Sequence, residues 1–219
     1  MYSMQGIVRK SVNNVTTQFE KLGYVANSLA NMNTRGYKSV SFEQMLTEDG
    51  YLTGAIRTDY KQGSIQITSN PYDVAINGTG FIPVVSPEGQ VAYTRDGAFK
   101  QGKDGYLVTT DDWLVGEGIK IPANCYKFEI KPNGEVFAYD GKNVKPRKLG
   151  TIPLVRFASQ ENLEEAGMNK LLPTADSGEP ILIKDHDCIC QNNLENSNTN
   201  IYSSTSEMLR LNASLLAST

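Results

Sequence analysis

The side chains best suited to chemistry in this sequence lie in one short segment, Asp185-His186-Asp187-Cys188-Ile189-Cys190. The segment holds the single histidine of the chain and two of its three cysteines. On a strand, alternate side chains point to the same face, so His186, Cys188 and Cys190 would face one side, as the ligands of a metal must. However, no soft fourth ligand is nearby, and zinc sites use other spacings. We therefore interpret the segment as an ordinary strand and expect neither a metal nor a cofactor.

Two other patterns fall short of a catalytic or ligand-binding site. Asp111 and Asp112 precede the single tryptophan, Trp113, which suggests a carboxylate pair or a sugar platform. Adjacent residues on a strand point to opposite faces, so a turn explains the two aspartates better. Gly78 and Gly80 lack the third glycine and the following helix of a dinucleotide loop, and no Gly-x-Ser-x-Gly elbow accompanies the histidine. The sequence therefore predicts that the protein is not an enzyme.

The composition excludes several classes of partner. The chain has 219 residues, enough for one sizeable core and a second, smaller element. Its formal net charge of −3 provides no field that would attract nucleic acid or an anionic membrane, and no run approaches the ~18 apolar residues of a membrane span. The N-terminus, MYSMQGIVRK, lacks the basic start, apolar core and cleavage site of a secretory signal peptide. We therefore expect no nucleic-acid partner, no membrane insertion and no cleavable signal peptide.

The first thirty residues carry an apolar repeat with spacings of three and four residues, which is typical of a coiled-coil helix. Its eight positions are Met4, Val8, Val12, Val15, Phe19, Leu22, Ala26 and Leu29. The opposite face is polar, with Lys10, Asn13, Thr17 and Glu20. Its β-branched and Asn residues lower helix propensity, so the helix needs a surface to pack against. That surface is either a neighbouring chain or the core of its own domain, and the sequence leaves both interpretations open.

The end of this helix repeats a small residue followed by an amide, Ala26-Asn27 and Ala30-Asn31. A spacing of four places both pairs on one helical face. Such a face suits a crowded helix–helix contact in which the amides form hydrogen bonds across the seam. An ordinary capped surface helix explains the same pattern.

The middle of the chain, residues 62–191, has the texture of an antiparallel all-β domain. Short alternating or apolar segments are separated by Asn-Gly and Asp-Gly turns about every 8–12 residues. We predict strands within 62–68, 73–78, 81–85, 91–94, 98–100, 106–109, 125–130, 136–139, 149–157 and 181–183. One short helical turn is expected over 163–168.

The remaining residues complete the predicted fold. Residues 192–200 are a polar connector, and a helix of about four turns follows from Ile201, capped by Ser203 or Ser204. The fold class is therefore mainly β with terminal α-helices. An N-terminal helix and connector, 1–61, and a C-terminal connector and helix, 192–219, flank the β domain and form a coiled-coil-like stem.

Four blocks of the sequence resemble the bacterial flagellar rod and hook family, the axial proteins of the basal body. The first runs from Ala26 to Lys38 and is similar to the family's Ala-Asn-x-x-Ala-Asn-x-x-Thr-x-Gly-Tyr/Phe-Lys signature. The others comprise residues 62–65 with 70–81, 93–99 with 105–109, and 194–200. They occur in the family's order and span about residues 1–200.

The resemblance implies a structural subunit of the basal-body rod, which crosses the periplasm. Such a subunit is exported by the flagellar type III apparatus and polymerises through its terminal helices with other copies and with other rod and hook proteins. The family also carries an export-gate motif, Phe-x-x-x-apolar, which Phe42 and Leu46 match. The other interpretation of these two residues is that they pack on the β domain.

Some features leave the assignment within the family open. The chain stops at Thr219, short of the Arg-x-Tyr/Phe-Glu element usual in family C-terminal helices, and only about 15 residues separate Leu46 from Gln62. The spacing favours a proximal over a distal rod protein, and a hook protein would carry an additional outer domain. A different class, a free β-domain binding module of adhesin-like or regulatory type, is suggested by the eleven tyrosines and by Trp113.

Overall fold

The computed structural model describes residues 4–141 and 145–218. The chain divides into two compact units. The terminal unit consists of residues 4–34, 38–61 and 197–218, and the central unit of residues 35–37 and 62–196. Each unit therefore combines segments that are far apart in the sequence.

Two helices dominate the terminal unit, α1 (Met4–Ala30) and α2 (Ile201–Ser218). Both were expected from the sequence. The N-cap of α2 is Asn200, because its Oδ1 accepts a hydrogen bond from Ser203 N at 3.1 Å. The predicted cap at Ser203 or Ser204 is therefore wrong. Asn is among the strongest N-cap residues, since its side-chain oxygen reaches the backbone N–H three positions on.

A two-stranded antiparallel hairpin, β1 (Val40–Leu46) and β2 (Leu52–Thr58), completes the terminal unit. Its turn is closed by a hydrogen bond from Thr47 N to Tyr51 O at 2.8 Å, and Gly50 adopts the positive φ of +78° that this turn requires. The sequence was interpreted here as a connector. The Asp-Gly pair at 49–50 is the same turn signal that identified strands elsewhere.

The central unit contains the other strands of the described residues. They are β3 (Ile65–Ile67), β4 (Val74–Ile76), β5 (Ile82–Val85), β6 (Val91–Thr94), β7 (Lys100–Gln101), β8 (Leu107–Val108), β9 (Leu114–Val115), β10 (Lys127–Ile130), β11 (Glu135–Tyr139), β12 (Arg147–Thr151), β13 (Val155–Arg156), β14 (Glu164–Glu165), β15 (Lys170–Leu172), β16 (Ile181–Leu182), β17 (Ile189–Gln191) and β18 (Asn193–Glu195). The helical turn predicted over 163–168 is wrong, since the 3₁₀ turn is Gln160–Asn162 and β14 follows it.

These strands form antiparallel sheets around one core. The largest sheet has seven strands in the order β14-β15-β6-β5-β9-β8-β7, and a second has the order β10-β11-β12. The pairs β4–β17, β3–β18 and β13–β16 complete the pairing. The mainly β fold with helices at both ends is confirmed, whereas the coiled-coil stem stays a prediction. The core residues are Val74, Ile76, Ile82, Phe99, Leu107, Val115, Ile119, Ile121, Phe128, Ile130, Val136, Ile152, Leu154 and Ile189.

Across the described residues, neither helix has the length and apolarity needed to cross a bilayer.

Candidate functional site

Four of the eight positions of the predicted apolar seam face away from the terminal unit. Met4, Val8, Val12 and Phe19 are 83%, 55%, 60% and 58% exposed. The other four positions, Val15, Leu22, Ala26 and Leu29, are half-buried. The interpretation of the seam as a core face of its own domain is therefore wrong for the four exposed side chains.

The opposite, more polar face of α1 forms hydrogen bonds to the hairpin of the terminal unit. Thr17, Val25 and Ser28 are buried. Asn13 Oδ1 accepts a hydrogen bond from Leu52 N of β2 at 2.8 Å, and Ser28 Oγ accepts one from Val40 N of β1 at 3.3 Å. At 3.6 residues per turn, Asn13, Thr17 and Ser28 lie on nearly the opposite side of the helix from the seam, whereas Val25 lies at its flank. The helix is thus held by hydrogen bonds on one side and presents its apolar stripe on the other.

The C-terminal helix repeats this arrangement. Leu211 and Leu215 are buried within the unit. Tyr202, Leu209 and Leu216, spaced seven residues apart, are 87%, 65% and 78% exposed and form a second apolar stripe. An ion pair between Lys21 Nζ and Glu207 Oε1, at 2.6 Å, joins α2 to α1. The two helices run in opposite directions, since Ser28 bonds Val40 near the end of α1 and Ser39 N donates to Asn198 Oδ1 just before α2 begins.

The amides of the repeated Ala-Asn pairs close the end of α1. Asn31 Nδ2 donates to the carbonyl oxygen of Asn27 at 3.0 Å and to its Oδ1 at 3.1 Å. Thr34 Oγ1 in turn donates to Asn31 Oδ1 at 3.0 Å. These bonds run along one chain, as the capped-helix interpretation expects, and hydrogen bonds across a seam between helices stay a prediction. Ala26 is half-buried and Ala30 is exposed.

The two residues of the predicted export motif lie on β1 in different environments. Phe42 is 8% exposed and stacks on Tyr24 of α1, with ring centroids 5.7 Å apart. Gly54 allows this packing, because a Cβ at that position would lie 1.8 Å from Phe42 Cζ. Leu46, by contrast, is 70% exposed. Both residues belong to the terminal unit, and the Phe42 ring packs within it.

A buried ion pair at the centre of the central unit was missed by the sequence analysis. Arg95 Nε donates to Glu195 Oε2 at 2.9 Å, and the two side chains are 5% and 0% exposed. The guanidinium also donates to the carbonyl oxygens of Gly78 at 2.7 Å and Gly80 at 3.1 Å. The second carboxylate oxygen accepts from Gly63 N at 2.9 Å. Charges buried this deeply require such full hydrogen bonding.

The four blocks that carry the family resemblance all meet at this pair. Glu195 lies in the fourth block, Arg95 in the third, and the glycines at 63, 78 and 80 in the second. Gly36 of the first block donates its N–H to the Glu195 carbonyl at 2.8 Å. A Cβ at Gly36 would lie 2.7 Å from the Arg95 backbone, and its φ is +65°, so a side chain is excluded there on two grounds. The blocks therefore build one packing arrangement.

The region around Trp113 is filled by a lysine of the same chain. Lys170 Nζ lies 4.9 Å from the centre of the indole ring and donates to Asp111 Oδ2. Lys170 is itself only 5% exposed. Asp112 instead pairs with Lys100 at 2.9 Å. The two aspartates thus act in separate ion pairs, and a cation occupies one face of the proposed sugar platform.

The Asp111–Lys170 pair predicts a pH-dependent contribution to stability. Burial alone would raise the pKa of Asp111, but hydrogen bonds from Lys170 and Thr109, together with the charge of Lys170, outweigh it and lower that pKa. With a folded pKa below the unfolded one, the pair stabilises the fold above the unfolded pKa and loses this effect as the pH falls through the folded pKa. Asp111→Asn should therefore be less stable than the wild type near neutral pH, with the difference shrinking below about pH 4.

Thermal unfolding measured across this pH range checks the expectation. Burial raises the pKa of Asp96, which has the opposite pH dependence, and the charge of Asp111 adds to that rise. The difference between variant and wild type therefore reports Asp111 together with its effect on Asp96. Asp112→Asn is the matched control, since that side chain is 70% exposed. A stability difference between Asp111→Asn and wild type that stays constant with pH would contradict the assignment.

The histidine–cysteine segment does not form the continuous strand that was predicted. Strand β16 ends at Leu182 and β17 begins at Ile189, while Asp185 adopts a positive φ of 53°. Burial raises the pKa of the Cys188 thiol. Among residues 4–141 and 145–218, no group of three or more His, Cys, Asp or Glu side chains is arranged to hold a metal ion.

The described residues thus define a protein with exposed apolar stripes on its two terminal helices and a β unit that contains a buried ion pair. The profile of the flagellar hook protein FlgE/F/G D1 domain matches residues 75–138, which run from β4 to β11. The chain belongs to the flagellar rod and hook protein family, because relatives at least 30% identical also match it over more than two thirds of their length.

Individual relatives agree with this assignment. The chain is 31% identical to the flagellar basal-body rod protein FlgG of Caulobacter vibrioides, over 78% of this chain and 75% of the relative. It is 30% identical to the protein of the same name from Buchnera aphidicola subsp. Baizongia pistaciae, over 82% and 80%. The match to the flagellar hook protein FlgE of Rhizobium meliloti, at 32% identity, covers 64% of this chain but 35% of that protein.

Proposed function

We propose that the protein is a structural subunit of the flagellar basal-body rod, held in the polymer by its terminal helices. The observation that carries this proposal is the pair of apolar stripes on α1 and α2, each on the side of its helix that faces away from the unit. Exposed apolar surface of this kind is costly in water and marks an interaction site. Seven large side chains are involved, and neighbouring subunits would bury them.

We favour the rod over the hook because the alignments with two rod proteins cover 78% and 82% of this chain, whereas the alignment with the hook protein covers 64%. We infer that its partners are other copies of itself and other axial proteins of the flagellum, and that it resides in the part of the basal body that crosses the periplasm. The direct test is whether a chain with a polar α1 stripe still enters basal bodies.

Export through the flagellar type III apparatus is the second part of the proposal, with Phe42 and Leu46 as the gate motif. The exposure of Leu46 supports it, because a docking side chain must be accessible in whatever part of the segment remains folded. Phe42 packs against Tyr24 in the folded terminal unit, so its substitution affects stability as well as secretion. The two side chains therefore require separate tests.

Leu46→Ala is expected to lower the secreted fraction of the protein several-fold while leaving its unfolding free energy within about 0.5 kcal/mol of the wild type. Phe42→Ala should lower secretion and also destabilise the terminal unit by about 3 kcal/mol, since it removes the ring stacked on Tyr24. Secretion is measured as the ratio of exported to cellular protein. Met45→Ala is the matched control, since this neighbour is 55% exposed on the other face of β1. Secretion of Leu46→Ala at the level of Met45→Ala would contradict the motif.

A further inference from the structure

The seven-stranded sheet of the central unit has edges of opposite character. At one edge, β14 pairs only with β15, and the adjacent side chains of Glu161, Glu164 and Glu165 are exposed. None of the three forms an ion pair within the described parts of the chain. We call these three residues the acidic edge.

At the other edge, next to β7, lies a basic cleft of about 780 Å³. Its charged lining consists of Lys103, Lys120, Arg147 and Lys148, against the single carboxylate of Asp104. Lys148 binds Glu135 at 2.6 Å, and Lys120 lies 5.3 Å from the ring centre of Tyr106. Lys103 and Arg147 are exposed, and neither forms an ion pair with a described residue. The cleft therefore concentrates positive charge on a chain whose net charge is −3.

We propose that the acidic edge of one copy docks in the basic cleft of the next copy. The two surfaces lie at opposite ends of one sheet, six strand spacings apart, and neither satisfies the other within a single chain. A contact between two different surfaces of identical subunits is head-to-tail, and unless its rotation closes a ring it continues as an open helical polymer. This inference rests on the proposed rod function and adds to it a contact between central units that is independent of the terminal helices.

The contact is made by side chains and not by strand pairing. Strands β14 and β7 have two residues each, and charged side chains on a sheet edge oppose direct edge-to-edge hydrogen bonding. Opposite charges across an interface select the partner and fix its register, and they raise the association rate. A second copy is favoured over another polyanion because the complementary group of carboxylates is present on the same chain.

Charge reversal with rescue tests the pairing in the full-length chain. Glu164→Lys with Glu165→Lys should weaken association of the purified protein at low salt by about tenfold or more, as should Lys103→Glu with Arg147→Glu. The chain carrying all four substitutions should recover, because its two surfaces are again complementary. Glu88→Lys with Lys184→Glu, at exposed positions elsewhere in the central unit, is the matched control. Association is measured by sedimentation, and about 1 M salt should weaken the wild type to the level of the reversed chains.

The outcomes distinguish docking of a second copy from binding of a different anion in the cleft. Failure of the fourfold variant to recover, or a loss confined to the Lys103 and Arg147 reversal, would overturn the pairing and assign the cleft to a different anion. Carbodiimide coupling of a mixture of isotopically labelled and unlabelled chains gives an independent readout. It should form an amide between Glu164 or Glu165 of one chain and Lys103 or Lys120 of another, and its absence at high protein concentration overturns the inference even if the chain polymerises. Conversely, if this amide forms but the protein never enters basal bodies, the rod function would be contradicted while the contact between copies would be supported.

Discussion

Glu195→Ala should destabilise the central unit by about 3–5 kcal/mol, because it leaves the buried guanidinium of Arg95 without its carboxylate partner. The Arg95 side chain is 5% exposed and would retain only carbonyl partners. Gly63 N would also lose its acceptor. Chemical unfolding followed by the fluorescence of Trp113 measures the effect, since this single tryptophan lies in the central unit.

Two matched variants separate the effect of the buried charge from the effect of losing any side chain or ion pair. Glu195→Gln keeps an oxygen acceptor of nearly the same shape but removes the charge, so we expect a smaller loss than for the alanine variant. Glu135→Ala removes a partner from the more exposed ion pair with Lys148 and should cost much less stability than Glu195→Ala. A change below about 1 kcal/mol for Glu195→Ala would mean that the buried pair does not organise the central unit.

Local patterns were sufficient to predict much of this fold. The 3–4 spacing of the apolar residues predicted α1, because that period belongs to a helix and to no strand. Turn pairs with apolar neighbours predicted β6 and β11. For β6, the strand predicted at 91–94 is found at Val91–Thr94. The segment 149–157 was predicted as one strand but is interrupted between β12 and β13, where Pro153 lies and cannot donate to a ladder.

The features that escaped prediction depend on contacts between distant parts of the chain. Arg95 and Glu195 are 100 residues apart, and nothing in their immediate neighbours indicates that each is buried or paired. The hairpin of β1 and β2 alternates imperfectly, because only Phe42 of β1 is buried. The basic cleft likewise gathers residues from three separate segments. Pattern analysis shows which residues share a face, and tertiary packing decides what that face contacts.

The helix α1 shows this distinction most clearly. The apolar seam was predicted residue by residue, yet the most buried side chains of the helix include Thr17 and Ser28 on its polar side, while half of the seam is exposed. The seam as an inter-subunit surface therefore stays a prediction, supported by its exposure. Changing this surface alone should separate assembly from folding.

Val8→Ser, Val12→Ser and Phe19→Ser together should prevent polymerisation while leaving the monomer folded. Burying such a side chain contributes about 1.5–3 kcal/mol, and the three are still 55–60% exposed in the chain, so their loss should weaken each subunit contact by about 3–4 kcal/mol. The concentration needed for assembly would rise by two to three powers of ten. The helix itself should persist, because Ser and Val have similar helix propensities.

The matched control is Arg9→Ser with Glu20→Ser, which changes two exposed positions of the same helix outside the seam and keeps the net charge. Incorporation into basal bodies and sedimentation of the purified chain measure assembly, and helix content by circular dichroism confirms the fold. The control should assemble as the wild type does. If the triple variant also entered basal bodies at the wild-type level, the stripe would not be the surface that joins subunits, and the terminal helices would have to be held by contacts on another face. Since the hydrogen-bonded face of α1 is already occupied within its own unit, that outcome would remove the physical basis for polymerisation through this helix.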